Sequence, residues 1–393
     1  VSGQESLTVS AGTVALDAAQ DGTIRMGGDA VLAAGDGIRM ASVTALDVVT
    51  GGTASVISNE LDVSVDSAVR GSMDSLSVGV SDDATVSVGD DLTVNAKDVR
   101  VRGEGDFDLR TSGAGTVSSN SVDMSVDAGL SVSAGGAVGI TSASVDVSSS
   151  TSVAVSTGSL SLDSAAATEV FSGTSLTATT TTLEAHSAED TALTAGGRVT
   201  TTSADATVNV GDTLDVSAAS TRVRNSGVVD VFAKEGTRLT STDMAMSVGD
   251  EVQILGGNEV VLTTETLALN ADTSAGISAR GMAMSVNDAL TATVGSATTV
   301  TSTDVNVDAG DDITLSGVDA AKVEMATVQV TTASGLTAEV GTETSVVSQA
   351  LKVDVVSDTK VSTADMALEA SGTMSVSGQE SLTVSAGTVA LDA

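Results

Sequence analysis

The chain has 393 residues, with no Pro, Cys, Trp or Tyr, only three Phe and a single His. A hydrophobic content of 41% and a mean hydropathy of +0.27 exclude a disordered chain, and the shortage of aromatic residues excludes an ordinary thick globular core. Lys and Arg total 16 against 52 Asp and Glu, a net charge of −36, which excludes a nucleic-acid partner because phosphate binding needs clustered cations. No apolar run is long enough to predict a membrane span.

The opening stretch VSGQESLTVSAGTVALDA, at positions 1–18, recurs letter for letter at positions 376–393. We interpret residues 1–375 as one tandem β-helical repeat unit and residues 376–393 as the start of the next identical unit. The alternative is a single long protein whose two ends were duplicated independently. A tandem array of this kind predicts a fibrous or solenoid protein rather than an enzyme domain.

Short pieces of alternating apolar and polar residues fill the unit, and the stretch from Ser121 to Ser164 shows them well. Apolar residues two positions apart predict β-strands with one face inward, and the Gly, Asp, Ser and Ala between them are typical of corners. The pairs start every seven or eight positions: Val122/Met124, Leu130/Val132, Val138/Ile140, Val145/Val147, Val153/Val155 and Leu160/Leu162. No helical spacing is sustained, so the sequence predicts an all-β chain.

A second period of 38 positions connects the stretches SAGGAVGI, FSGTSLTA, NVGDTLDV, SVGDEVQI and SVNDALTA. The positions that share its apolar phase are Val138, Leu176, Leu214, Val252, Leu290, Val328 and Met366. About 49 segments, averaging about 7.6 residues, fill the 375-residue unit. A strand of four or five residues with a corner every seven or eight predicts a β-helix whose strands stack ~4.8 Å apart.

The runs DDLTVNAKDVRVRG (residues 90–103) and DAGLSVSAGGAVGITS (residues 127–142) resemble the octad repeats of triple-stranded β-helix needles. Such needles occur in contractile-phage tail spikes and bacterial secretion-system spike tips. The resemblance implies that each apolar pair points into a narrow trimer interior, with Gly or Asp at the corner. The step here averages less than eight residues, and the long copy length points to a long thread rather than a compact piercing tip.

Two chain arrangements fit this pattern: three intertwined chains around one axis, or a single chain that coils with two or three sides per turn. We favour the homotrimer, because about 49 segments divide by neither two nor three. In a single chain, each 375-residue copy would then begin on a different side of the coil. In three equivalent chains around one axis, equivalent residues have the same surroundings after any whole number of segments. The single-chain β-solenoid is the alternative.

The residues able to support catalysis are few and scattered. His186 is the only His, with no Cys or Tyr to partner it, and it is interpreted as a surface or corner residue. Three pairs of adjacent Asp residues are interpreted as corners before the next strand: Asp82/Asp83, Asp90/Asp91 and Asp311/Asp312. We therefore predict a non-enzymatic protein with no catalytic residue and no cofactor.

The Gly-Asp corners SVGDDL, NVGDTL and SVGDEV are similar to the turns of calcium-binding β-rolls, but no stretch keeps the nine-residue GGxGxDxUx register of that class. We predict no ordered metal site, and only diffuse binding of divalent cations to the acidic surface. The basic pairs Arg100/Arg102 and Arg222/Arg224 are expected to pair with carboxylates across strands or chains. Met residues such as Met244 and Met282 are expected to fill the thin core. The three Phe are expected where the interior is wider, or facing outward: Phe107, Phe171 and Phe232.

These features favour a structural component of a long extracellular or cell-surface filament, such as the shaft of a surface hair, spike or flagellar hair. The alternative is the stalk of an adhesin or tail fibre whose binding head lies outside this sequence. Self-association is the expected partnership, through homotrimerisation and end-to-end extension by tandem repeats. Neither nucleic acid nor a membrane span is expected.

Overall fold

The computed structural model describes residues 2–3, 7–18, 22–26, 30–42, 45–272, 274–294, 297–309, 312–317, 320–332, 336–340, 343–355, 358–363, 365–378, 381–386 and 388–392. It divides into two compact units, Val1–Arg198 (unit 1) and Val199–Ala393 (unit 2). The described residues form β-strands joined by short bends and contain no helix.

The strands that begin in unit 1 are of two kinds, short ones and ones about twice as long. They are β1 (Ser2–Gly3), β2 (Leu7–Ala18), β3 (Gly22–Met26), β4 (Ala30–Ser42), β5 (Ala45–Thr50), β6 (Thr53–Ser58), β7 (Glu60–Val65), β8 (Ala68–Val80), β9 (Ala84–Val88), β10 (Leu92–Gly103), β11 (Phe107–Thr111), β12 (Gly115–Ser118), β13 (Ser121–Val126), β14 (Gly129–Ala134), β15 (Ala137–Ser142), β16 (Ser144–Ser149), β17 (Ser152–Ser164), β18 (Thr168–Ser172), β19 (Ser175–Ser187) and β20 (Thr191–Ser203), which contains the boundary between the units.

The strands of unit 2 that follow β20 are of the same two kinds. They are β21 (Asp205–Val210), β22 (Thr213–Asn225), β23 (Val229–Ala233), β24 (Gly236–Val248), β25 (Glu251–Gly256), β26 (Glu259–Ala271), β27 (Ser274–Val286), β28 (Leu290–Val294), β29 (Ala297–Ala309), β30 (Ile313–Gly317), β31 (Ala320–Thr332), β32 (Leu336–Val340), β33 (Glu343–Val355), β34 (Asp358–Ser362), β35 (Asp365–Gly378), β36 (Ser381–Ser385) and β37 (Thr388–Asp392).

Each coil has three sides, as the stretch from Leu92 to Ala114 shows. The first half of β10 pairs with β12, the second half pairs with β13, and β11 pairs with β14. All three pairings are parallel and join residues 23 positions apart. Long strands such as β10 therefore supply two sides, and the chain bends between them.

The coil length is the same in both units. In unit 1, eight successive pairings lead from Leu7 to Thr191, a mean of about 23 residues a coil. In unit 2, seven successive pairings lead from Thr221 to Leu382, with the same mean. Three sides of such a coil average about 7.7 residues, close to the segment length that the sequence predicts.

The prediction of an all-β solenoid is confirmed. Strands within the units, such as β10, pair on both edges with strands of the same chain, which is the pairing of the single-chain alternative with three sides a turn. The structure contains one chain, and the trimeric state is not shown.

Inside each unit the three sides enclose a narrow apolar core. In unit 1 the core includes Ile38, Val122 and Val126, each no more than 2% exposed, and in unit 2 it includes Val252 and Val260. Alternate residues along a strand point to opposite faces, so the period-two pattern of the sequence places most apolar residues inside and most charged residues in solvent, while many Ser and Thr are also buried.

Candidate functional site: the stacked coils and their outer surface

The apolar residues of the 38-residue period lie inside the coils. Val138, Leu214, Val252, Leu290 and Met366 are buried and Leu176 is partly buried, while the side chain of Val328 lies outside the described residues. This period spans five sides of about 7.6 residues, which is one three-sided coil plus two further sides. Residues 38 positions apart are therefore inward residues on different sides of the coil. Core prediction from this period is confirmed for the described side chains.

Hydroxyl side chains line the corners, a feature that sequence reasoning missed. Thr157 Oγ1 is within hydrogen-bond distance of two carbonyl oxygens, that of Gly136 in the coil before at 2.7 Å and that of Ser159 at its own corner at 2.9 Å. Ser172 repeats this arrangement toward Thr151 and Ser175 at 3.0 and 2.8 Å. Further members are Ser149, Ser164, Thr180, Ser187, Ser241 and Thr264.

These hydroxyls satisfy carbonyl groups that the bend removes from the strand ladder, and a buried carbonyl without a donor is costly. The sequence signal is a Ser or Thr four positions after the first inward apolar residue of a strand, as Thr157 follows Val153. It is visible only once the coil geometry is known.

Acidic corner residues link neighbouring coils through their side chains. Asp83 Oδ1 accepts a hydrogen bond from the backbone N–H of Asp106 at 2.9 Å, and Asp91 Oδ1 accepts one from Ala114 at 2.8 Å. Asp106 does the same for Gly129, and Asp205 for Val228. Asp83 and Asp91, the second residues of the pairs Asp82/Asp83 and Asp90/Asp91, are thus corner residues, as predicted. Each also accepts a hydrogen bond from a backbone amide of the next coil.

The remaining catalytic candidates are scattered in this geometry. His186 lies at an outward position of β19, partly exposed and in register with Asp163 of the coil before. Asp312 is exposed just before β30, and Asp311 lies outside the described residues. The parts of the chain that the structure describes hold no group of three His, Cys, Asp or Glu side chains placed to bind a metal ion. A search of those same parts finds no helix of the length and apolar character that a membrane crossing requires.

Ion pairs on the outer surface run mainly along the stack. Arg70 and Asp47 lie in register on adjacent coils with 3.8 Å between Nη1 and Oδ1, and Lys97 lies 3.0 Å from Asp74. Arg102, one of the predicted cross-strand pairing residues, lies 3.9 Å from Asp123 in the next coil. Apart from the partly buried Asp47, these side chains lie at the solvent-facing surface, so each pair contributes only a fraction of a kcal/mol.

A column of carboxylates occupies one outward position in three successive coils of unit 1. Asp123 is in register with Asp146, and Asp146 with Glu169. Burial, together with the charges of Asp123 and Glu169, raises the pKa of Asp146 above its ordinary value of 3.8. Like charges directly opposite each other on neighbouring strands are destabilising, so this column opposes the stacking that the core favours.

The three Phe divide between core and surface. Phe107 is buried, whereas Phe171 and Phe232 face outward and are 49% and 43% exposed. Phe232 is in register with Leu255 of the next coil, which is also exposed. Met244 and Met282 are buried, as expected for fillers of a thin core.

Comparison with protein-family models, with curated proteins and with solved structures finds no significant match. Many polar groups of the described residues either form hydrogen bonds with backbone atoms at the corners or form ion pairs between neighbouring coils. Both kinds of contact hold adjacent coils together.

Proposed function

We propose that this chain is a non-enzymatic structural segment of a long extracellular filament, the shaft of a surface hair, spike or flagellar hair. One observation carries the proposal. In each unit every coil stacks on the next with the same parallel pairing, at a mean spacing of 23 positions, so the same strand edges can be extended by further coils of the same kind. A tandem array supplies such coils without limit.

The pairing also favours a filament that is one chain thick. An intertwined homotrimer would need the same strand edges for pairing with two other chains, because each segment of one chain would lie between segments of the others. The edges of β10, for example, pair with β8 on one side and with β12 and β13 on the other. Self-association in this proposal is end-to-end extension along the chain.

The acidic surface supports a filament that stays separate from its neighbours. A net charge of −36 repels parallel filaments, and it attracts divalent cations diffusely rather than at fixed sites. Chelation with EDTA should therefore leave the far-UV β spectrum and the melting temperature unchanged, whereas loss of the β signal would reveal an ordered cation site.

Electron microscopy of chains with one, two and three copies tests the proposal. With about 23 residues a coil and ~4.8 Å between coils, each added 375-residue copy should lengthen the particle by ~78 Å at constant width. Particles that grow in width, or do not lengthen with copy number, would contradict it. A globular head at one end of the native filament would favour the stalk of an adhesin or tail fibre instead.

A further inference from the structure

The length of a copy and the length of a coil do not match. Both units coil at a mean of about 23 residues, and sixteen such coils fill 368 of the 375 positions in a copy. Seven positions are left over. Seven is the length of one side: Leu7 and Val14 start neighbouring sides, since Leu7 pairs with Ala30 and Val14 with Ile38.

We propose that successive copies in the array are displaced by one side of the coil. A residue that faces outward on one side in the first copy then faces outward on the next side in the second copy, and returns to its original side in the fourth. This inference rests on the proposed function, since it needs tandem copies that follow one another along a single coil.

The start of the repeated sequence can occupy different sides of the coil because each side has the same alternation of inward and outward residues. Most sides carry apolar residues at their first and third positions, as Leu7 and Val9 do, and some have Thr at the first, as Thr359 and Thr237 do. In unit 2 the same residues of the repeated segment, Leu382 and Val384, lie in register with Thr359 and Val361; they are 51% and 44% exposed there. The same alternation of residues therefore forms a strand in register at both places, as the displacement requires.

The displacement decides how surface features are presented. The exposed Phe232 and Leu255 form a small apolar patch on two neighbouring coils. With copies displaced by one side, this patch recurs on a given side only once in three copies, ~235 Å apart, and every side carries it. Rows of apolar patches that would join filaments laterally therefore do not form.

The test uses a chain of four copies with Phe232→Cys in each, labelled with gold clusters, which is feasible because the sequence has no Cys. Cryo-electron microscopy would locate the labels relative to the traced sides of the coil, so that twist of the stack does not affect the result. We expect labels on three successive sides, with the fourth on the side of the first. A matched control deletes residues 7–13 from every copy, which leaves sixteen whole coils and should put all labels on one side.

Labels on one side in the unaltered chain would overturn the inference while leaving the filament standing. Labels displaced equally in the unaltered and deleted chains would also overturn it, because the leftover side would then not be the cause. Particles without stacked three-sided coils would overturn the proposed function itself.

Discussion

At the corners of the coils the backbones of neighbouring turns come so close that some positions leave no room for a side chain. Gly173, between β18 and β19, is one example: a Cβ there would lie 1.8 Å from the carbonyl oxygen of Ser150, at the corresponding corner one coil earlier. A backbone carbonyl cannot swing aside as a flexible side chain can. The residue type is therefore set by the distance between coils.

Replacing Gly173 with Ala should lower the free energy of unfolding by about 2 kcal/mol, because either corner must shift to relieve the overlap. Gly139→Ala is the matched control, since a Cβ at Gly139 meets no atom within 4 Å and Ala is at least as favourable in a strand. Urea unfolding followed by circular dichroism measures both. Equal effects from the two variants would show that the corner is not closely packed.

Buried hydroxyls differ in whether they have a partner, and this difference is testable. Thr237 is 0% exposed, stacked between Leu214 and Val260, and its Oγ1 has no hydrogen-bond partner among the described residues. Thr237→Val should raise the free energy of unfolding by about 1 kcal/mol, because it removes an unsatisfied polar atom without changing the shape.

Thr157→Val is the control of opposite sign. The substitution again keeps the shape of the side chain, but it removes the hydroxyl that donates to the carbonyl oxygens of Gly136 and Ser159. The free energy of unfolding should therefore fall by about 1 kcal/mol. Unfolding midpoints that move in the same direction for both variants would contradict the assignment of the corner hydroxyls.

The carboxylate column predicts a dependence on pH. The pKa of Asp146 is raised in the folded state, so the folded chain binds this proton more tightly than the unfolded chain does. Stability therefore falls as the pH rises through the interval between the unfolded and folded pKa values. Asp146→Asn should stabilise the chain at pH 7, and the gain should vanish at about pH 3, where the carboxyl group is protonated in both states.

Asp354 provides the opposite case. Hydrogen bonds from Lys352 and Ser377 lower the pKa of Asp354, so its carboxylate contributes stability that is present above the unfolded pKa and is lost as the pH falls through the folded one. Asp354→Asn should therefore destabilise the chain at pH 7, and the effect should shrink as the pH falls below the unfolded pKa and through the folded one. Denaturation curves at the two pH values distinguish the cases. A destabilising Asp146→Asn at pH 7 would contradict the first assignment, and a stabilising Asp354→Asn the second.

At the scale of the element, the unit of stability is the coil. Each coil contacts only the coils before and after it, so the energy of the stack is close to a sum over coils and their interfaces. Removal of a whole coil should then be tolerated. Removal of part of a side should not, because it moves inward residues to the outer face.

Deletion of residues 130–152, one coil of unit 1, tests this additivity. Val153 would take the place of Leu130 and stack on Phe107, since Phe107 pairs with Leu130 and Leu130 with Val153. We expect an unchanged β spectrum and a cooperative melt at a slightly lower temperature.

The control for that prediction is the smaller deletion of residues 130–141, which would place Val145 outward and Ser144 inward on the altered side. It should lower the melting temperature far more, although it removes about half as many residues. A smaller effect from this deletion would mean that the side is not the structural unit.

Much of the element structure could be predicted from the sequence, because pairs such as Val122/Met124 carry the strand period locally. The 38-residue period also identifies buried positions such as Leu214 and Val252. The roles of Thr157 and Asp83 could not be predicted, since their partners lie 21 and 23 residues away. Those contacts depend on the number of sides in a coil, which no local pattern fixes.

At the scale of the whole molecule, local sequence patterns do not determine which strands lie next to each other, and this explains why the sequence favours an intertwined trimer. An apolar pair every seven or eight residues fits a three-sided prism whether one chain or three build it. What distinguishes the arrangements is which strand lies next to which: the strand one coil further along the same chain, or a segment of another chain. Pairings such as Ser64 with Ser87 are of the first kind.

A distance measurement between Ser64 and Ser87 tests the coiling most directly. Both are outward residues of unit 1, on β7 and β9, and Ser→Cys is a small change in a chain without Cys. With nitroxide labels on both positions, backbones ~4.8 Å apart should give strong dipolar broadening that persists when the chain is refolded with a large excess of unlabelled chain. In three intertwined chains, the same two positions of one chain would be separated by three strand spacings, ~14 Å. Broadening that is weak, or that disappears on dilution, would contradict a chain that coils on itself.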